Sequence, residues 1–220
     1  MKTQLFNKAG SDIVIFFEGY GQDPNPFSEL VPLMSENTSL LCCYDYAVDE
    51  ALPDLSSFEN ARVIAWSMGV ALAPFYIKKL RLRVTKSIAV NGTLEGIDEN
   101  LGVDPVLWDE TLAKLDAHSA MGFYLAMCGS SFKKYLKKRP NRSIESLKAE
   151  LAWIRDYLKS VTVTDYSFDE AFVSKRDLIF NPCRQKLSWE KHGVKLFEID
   201  EAHYCPELFE RLLREPFDGS

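Results

Sequence analysis

The chain has 220 residues, enough for one sizeable core, so a single domain is the expectation. An apolar fraction of 46%, a charged fraction of 26% and a net charge of −6 are those of an ordinary soluble protein, and that balance argues against nucleic acid as main partner, because phosphate binding needs a basic face. No unbroken apolar run reaches the ~18 residues of a membrane span, and the N-terminal stretch lacks a small-residue cleavage pattern, so no membrane is expected and the chain is placed in the cytoplasm.

Taken in chain order, short apolar runs alternate with helical patterns. The runs are "DIVIFF" (Asp12 to Phe17), "SLLCCY" (Ser39 to Tyr44), "RVIAW" (Arg62 to Trp66), "KSIAVNG" (Lys86 to Gly92), "EAFVS" (Glu170 to Ser174) and "VKLFEI" (Val194 to Ile199). Runs of this length, bounded by turn residues, suit parallel strands covered on both faces, which makes the fold class α/β. The gap from about 93 to 166 is the longest and its pattern is helical. Ile144, Leu147, Leu151, Ile154 and Leu158 form one stripe, and Phe132, Tyr135 and Leu136 a shorter one ended by Pro140. This segment is expected to be a helical lid on the same domain.

Within "RVIAWSMGVALAPF", Ser67 stands where a buried strand turns into a helix beginning near Met68, with the small residues Ala65 and Gly69 on either side. That is the pattern of a nucleophile elbow, which holds a serine Oγ out at the carboxyl edge of a sheet. Alanine replaces the first glycine of the usual G-x-S-x-G, and a serine here also serves as a plain helix N-cap. A serine hydroxyl needs a base, and the chain has three histidines. His118 lies in the helical insertion, and His192 in a polar turn expected to be exposed. His203 follows the last strand, where an α/β-hydrolase order of Ser, acid and His puts the base. For the acid, Asp177 lies just past "EAFVS", with Asp200 in reserve; Asp169 and Glu170 fall at the wrong edge of the sheet. The N–H of Met68 and that of Tyr20, between Gly19 and Gly21 in "FFEGYGQDPNPF", are the expected oxyanion donors.

The segments "FFEGYGQDPNPF", "IAWSMGVALA", "AVNGTLEGIDENLGVDPVLWDETL" and "RDLIFNP" followed by "EIDEAHYCP" resemble the BioG-type pimeloyl-acyl carrier protein methyl ester esterases, a short branch of the α/β-hydrolases. The resemblance runs over most of the chain and is weakest from about 117 to 159. It implies removal of the methyl group from pimeloyl-carrier protein methyl ester in biotin synthesis, with Ser67, Asp177 and His203 as triad and the glycine loop and Met68 at the oxyanion. No metal or redox cofactor is implied, and acyl carrier protein is the implied partner of a monomer.

The run "SFKKYLKKRPNRS" places Lys133, Lys134, Lys137 and Lys138 opposite the apolar stripe, with Arg139 and Arg142 next and Arg155 and Lys159 on the following helix. Beside the resemblance, these are candidates for docking an acidic carrier protein; by themselves they read as a solvated face. Trp66, Trp108, Phe123 and Tyr124 are candidates to line an acyl channel, or plain core. Five cysteines (Cys42, Cys43, Cys128, Cys183 and Cys205) form no C-x-x-C pair and no zinc pattern, so reduced thiols are expected. Other acyl-chain carboxylesterases or thioesterases, and a non-catalytic homologue that binds acyl carrier protein, remain alternatives, since triad and oxyanion hole serve both ester types.

Overall fold

A computed structural model describes residues 1–80, 82–162 and 166–217. Seven strands form one sheet in the order β1-β3-β2-β4-β5-β6-β7. They are β1 (Lys2–Phe6), β2 (Asp12–Phe17), β3 (Thr38–Tyr44), β4 (Asn60–Trp66), β5 (Arg83–Val90), β6 (Glu170–Ser174) and β7 (Lys195–Ile199). All pairings are parallel except that of β1 with β3. The six strands expected from apolar runs are present. β1, "KTQLF", was not expected: it is an edge strand with no fully buried residue, so no continuous apolar run marks it.

Helices cover both faces. Along β2, Ile13, Ile15 and Phe17 face one apolar cluster while Val14 and Phe16 face the other, as the two-residue period of a strand requires. The first cluster takes α1 (Met68–Leu80), α5 (Ile144–Ser160) and α6 (Pro182–His192), and the second takes α7 (Pro206–Arg214). The segment between β5 and β6 carries α2 (Pro105–Lys114), α3 (Ala117–Cys128), the single turn α4 (Phe132–Tyr135) and α5. Asp104, Asp116 and Ser143 cap α2, α3 and α5 by accepting backbone N–H groups of the first turn. The helical stripe read from Ile144 onward is α5, with Leu147, Leu151 and Ile154 buried. No described helix is long and apolar enough to cross a membrane. Cys42, Cys43, Cys128 and Cys205 are buried and unbridged, and Cys183 is exposed.

Four segments converge at the carboxyl edge of the parallel strands: residues 18–23 after β2, the β4–α1 turn, and the segments after β6 and after β7. Only here do successive strands release their chains on the same side, which is why α/β folds gather functional groups at this edge.

Candidate active site

The β4–α1 turn is sharp. Ser67 has φ 58°, a left-handed conformation that a non-glycine residue holds at a cost of about 1–3 kcal/mol unless its surroundings impose it. Its N–H donates to the Val90 carbonyl at 2.9 Å, and its own carbonyl accepts from Val70 N–H at 3.0 Å. Gly69 is required for close approach: a Cβ there would stand 2.4 Å from the Phe17 carbonyl oxygen, so α1 packs against the end of β2 only without a side chain.

Ser67 Oγ lies 2.9 Å from His203 Nε2, and His203 Nδ1 lies 2.8 Å from Asp177 Oδ2. All three groups are buried, the imidazole at 1% exposure. Asp177 is held from several sides. Its Oδ1 accepts the N–H groups of Ile179 and Phe180 at 2.8 and 2.9 Å, and its Oδ2 also accepts from Gln185 Nε2 at 3.0 Å. Phe180 stacks on the His203 ring, 5.9 Å between centroids and 3° from parallel. The His203 carbonyl accepts from Trp66 Nε1 at 3.0 Å and from Asn91 Nδ2 at 2.8 Å, so the β7–α7 loop is pinned to the ends of β4 and β5. Gln185, Asn91 and Phe180 were not singled out in the sequence: Asn91 and Phe180 reach His203 across a long separation, and Gln185 reaches Asp177 across eight residues only through the way α6 packs.

The glycine loop packs on the elbow: a Cβ on Gly19 would stand 2.9 Å from Ser67 Cβ and 3.3 Å from its Oγ. Gly21 adopts φ 73° and donates its N–H to Glu150 Oε2 at 3.0 Å. Tyr20 and Met68 both line a hollow of about 130 Å³ that opens on Ser67. A second hollow of about 400 Å³ shares Tyr20, Leu107, Thr111, Phe123 and Ile179 with it and extends between α2 and α3. Trp108 lines the inner hollow, Tyr124 the outer and Phe123 both.

Several sequence expectations need correction. Trp66 is fully buried in the cluster on the far face of the sheet and lines neither hollow, because strand alternation points it to that face, where its ring lies 5.4 Å from the His203 ring. Asp200 is exposed and pairs with Arg176 at 3.0 Å, away from His203. His192 is half-buried, its Nε2 2.9 Å from Glu95, rather than exposed. Of the basic residues, Arg142 has a buried side chain paired with Asp45 at 2.9 Å and Glu150 at 3.2 Å, so its charge is not offered to a partner. Arg155 pairs with Asp109 and Asp156, and Lys138 with Glu29. Lys133, Lys134, Lys137 and Lys159 are exposed and make no ion pair among the described residues.

The family model described as pimeloyl-ACP methyl esterase BioG matches residues 1–213. The chain belongs to this family. A Bacteroides fragilis protein named malonyl-[acyl-carrier protein] O-methyltransferase is 34% identical over 93% of the chain, which spans 41% of that relative's length. A solved structure of BioG from Haemophilus influenzae superposes with a TM-score of 0.88 at 30% identity, covering 98% of this chain and 100% of that one. MGS-M2, an α/β hydrolase from a Medee basin deep-sea metagenome library, matches with a TM-score of 0.64 at 15% identity, covering 96% of this chain and 92% of that one, and at that distance the likeness is one of fold. The architecture is that of the α/β-hydrolases, and the family is one of esterases.

Proposed function

We propose that the protein hydrolyses the methyl ester of pimeloyl-[acyl-carrier protein] to the free acid and methanol through an acyl-enzyme on Ser67. The observation that carries this reading is the continuous chain Ser67 Oγ–His203 Nε2–Asp177 Oδ2 at 2.9 and 2.8 Å, opening into an apolar hollow in a member of the BioG family.

Neutral His203 accepts the Ser67 proton as Oγ attacks the ester carbonyl, and Asp177 orients the imidazole and stabilises its cation. The N–H groups of Met68 and Tyr20 receive the developing oxyanion, each worth about 100- to 1,000-fold in rate. The imidazolium then returns the proton to the leaving methoxide, and water, activated by the same histidine, releases the acid. The free end of α1 adds a positive dipole at the same point.

The substrate's methylene chain suits the joined hollows. Trp108, Phe123 and Tyr124 with Leu107 and Ile179 offer apolar walls, and the few polar groups lie at the outer end, where Glu110 and Lys114 pair at 2.8 Å. Lys133, Lys134, Lys137 and Lys159 are the cations available to steer an acidic carrier protein, and the proposal places the enzyme, a monomer, in the cytoplasm.

The deciding experiment incubates methyl pimeloyl-carrier protein with the wild type and with Ser67→Ala, reading products by mass. Loss of a methyl group with the wild type alone supports the reading. Release of the acyl chain from the carrier arm instead assigns a thioesterase, and failure of a fluorophosphonate to label Ser67 removes the hydrolytic reading altogether.

A further inference from the structure

The helical segment between β5 and β6 grips the glycine loop from behind. Glu150 of α5 is fully buried, yet both its oxygens are engaged: Oε2 accepts from Gly21 N–H at 3.0 Å and Oε1 from Tyr46 N–H at 3.1 Å. One carboxylate thereby joins the loop after β2 to the loop after β3. Arg142, just before α5, donates from Nη1 to the Gln22 carbonyl at 3.0 Å, while its Nη2 lies 3.2 Å from Glu150 and 2.9 Å from Asp45. Ser146 Oγ accepts from the same guanidinium at 2.7 and 3.0 Å.

A buried ion pair is a weak reason for stability, since well-packed apolar residues commonly replace one at no loss. What this pair does, and apolar residues would not, is hold two specific backbone groups just after Tyr20, the Gly21 N–H and the Gln22 carbonyl. With Gly21 N–H taken by Glu150 and Glu18 N–H by the Cys43 carbonyl, the donors left to the loop beside Ser67 are the N–H groups of Gly19 and Tyr20. Gly21 sits at φ 73°, a conformation a glycine leaves easily, so an external hold on its peptide sets where the neighbouring N–H points. An oxyanion donor works only if it is fixed beforehand at the place where charge develops.

We propose that Glu150, with Arg142 as counter-ion, is a positioning residue that sets the glycine loop for transition-state binding; this rests on the hydrolytic reading of Ser67 and deepens it. The pair acts through the backbone, touching neither the triad nor the substrate.

The test uses the full chain as wild type, Ser67→Ala, Glu150→Gln and the double variant Glu150→Gln/Arg142→Met, in which no orphan charge is left buried. Turnover of a short p-nitrophenyl ester is divided by the number of sites a fluorophosphonate titrates to completion, and binding of an alkylboronic acid is measured beside it. The expected result is a 10- to 100-fold fall in kcat per titrated site in both Glu150 variants, KM within about twofold, and boronate affinity weakened by a similar factor. A merely structural role would lower the titrated fraction or the melting temperature while leaving kcat per titrated site and boronate affinity intact, and that outcome overturns the proposal. If Glu150→Gln does not fold, the double variant decides by the same readouts. A wild type that behaves like Ser67→Ala overturns the hydrolytic reading and the proposal together, whereas an active wild type matched per site by the Glu150 variants overturns the proposal alone.

Discussion

At the scale of single residues, Asp177 is held by more than its histidine. Two backbone N–H groups and the Gln185 amide fill its oxygens, so the carboxylate reaches the imidazole already oriented. Gln185→Leu removes the donor to Oδ2 and to the Phe180 carbonyl and leaves the two N–H groups on Oδ1, and is expected to lower kcat about tenfold, about 1.4 kcal/mol of transition-state binding, with KM unchanged; a kcat within twofold of wild type would show that the two N–H groups suffice. Gly19→Ala is expected to hurt activity far more than folding. Its Cβ would fall 2.9 Å from Ser67 Cβ, so the glycine loop must retreat from the elbow, and fluorophosphonate labelling should slow by more than tenfold while the melting temperature moves by a few degrees. That Ser67, Asp177 and His203 would meet was legible in the sequence because each occupies a position defined by a strand end. Of the two readings open to Trp66 it takes the core one, because the two-residue period sends it to the opposite face, where it donates to the His203 carbonyl. Gln185 carried no signal, since its contact with Asp177 depends on how α6 packs and not on any local spacing.

At the scale of elements, the strands declared themselves by apolar runs covered on both faces, and β1 did not because this half-buried edge strand packs only Leu5 and Phe6 on the two clusters and so carries no apolar run. Helix α5 shows where a pattern was seen but incompletely used. Glu150 sits on the buried side, between Leu147 and Leu151, and a carboxylate on an apolar stripe is the one local mark of a buried polar network. Arg142 looked like its basic neighbours because nothing nearby in sequence reveals partners at Gln22, Asp45 and Glu150. The network also has a pH signature. Burial pushes Glu150 up from its ordinary 4.5 to about 7, with Asp45 adding to the effect and Arg142 and the Tyr46 and Gly21 N–H groups opposing it; Glu18 and Tyr20 also face this charge. The folded protein therefore keeps a proton that the unfolded chain releases earlier, so stability from this group is full below about 4.5 and is lost as pH rises through about 7. Melting curves at pH 5 and pH 8 should show the wild type losing ground to Glu150→Gln at the higher pH, and an unchanged difference would refute the assignment.

At the scale of the whole molecule, a protein of net charge −6 carries a local cluster of lysines, at positions 133, 134 and 137 on and just after α4, that make no ion pair among the described residues. An acidic chain repels an acidic carrier protein at long range, so a local basic patch would have to act within a screening length of about 8–10 Å. Reversing Lys133, Lys134 and Lys137 to Glu is expected to raise KM for a carrier-bound ester several-fold and leave hydrolysis of a small ester unchanged, with the difference fading in ~0.5 M salt. Equal effects on both substrates would remove the patch from docking. This surface was visible in the sequence as a charge run, but which of its members are free was not, because pairing is decided by tertiary neighbours.

The separation along the chain between Ser67 and the histidine beside it, 136 residues, has a consequence for how the protein is made. Ribosomal synthesis delivers β2, β4 and α1 long before residue 203 emerges, so a nascent chain can hold a folded elbow whose serine has no base. If Ser67 is the nucleophile proposed above, its hydroxyl stays inert until β6 and β7 have docked and the loop after them is latched by Trp66 and Asn91. On the hydrolytic reading proposed above, reactivity toward a fluorophosphonate would report that the last strands have joined the sheet.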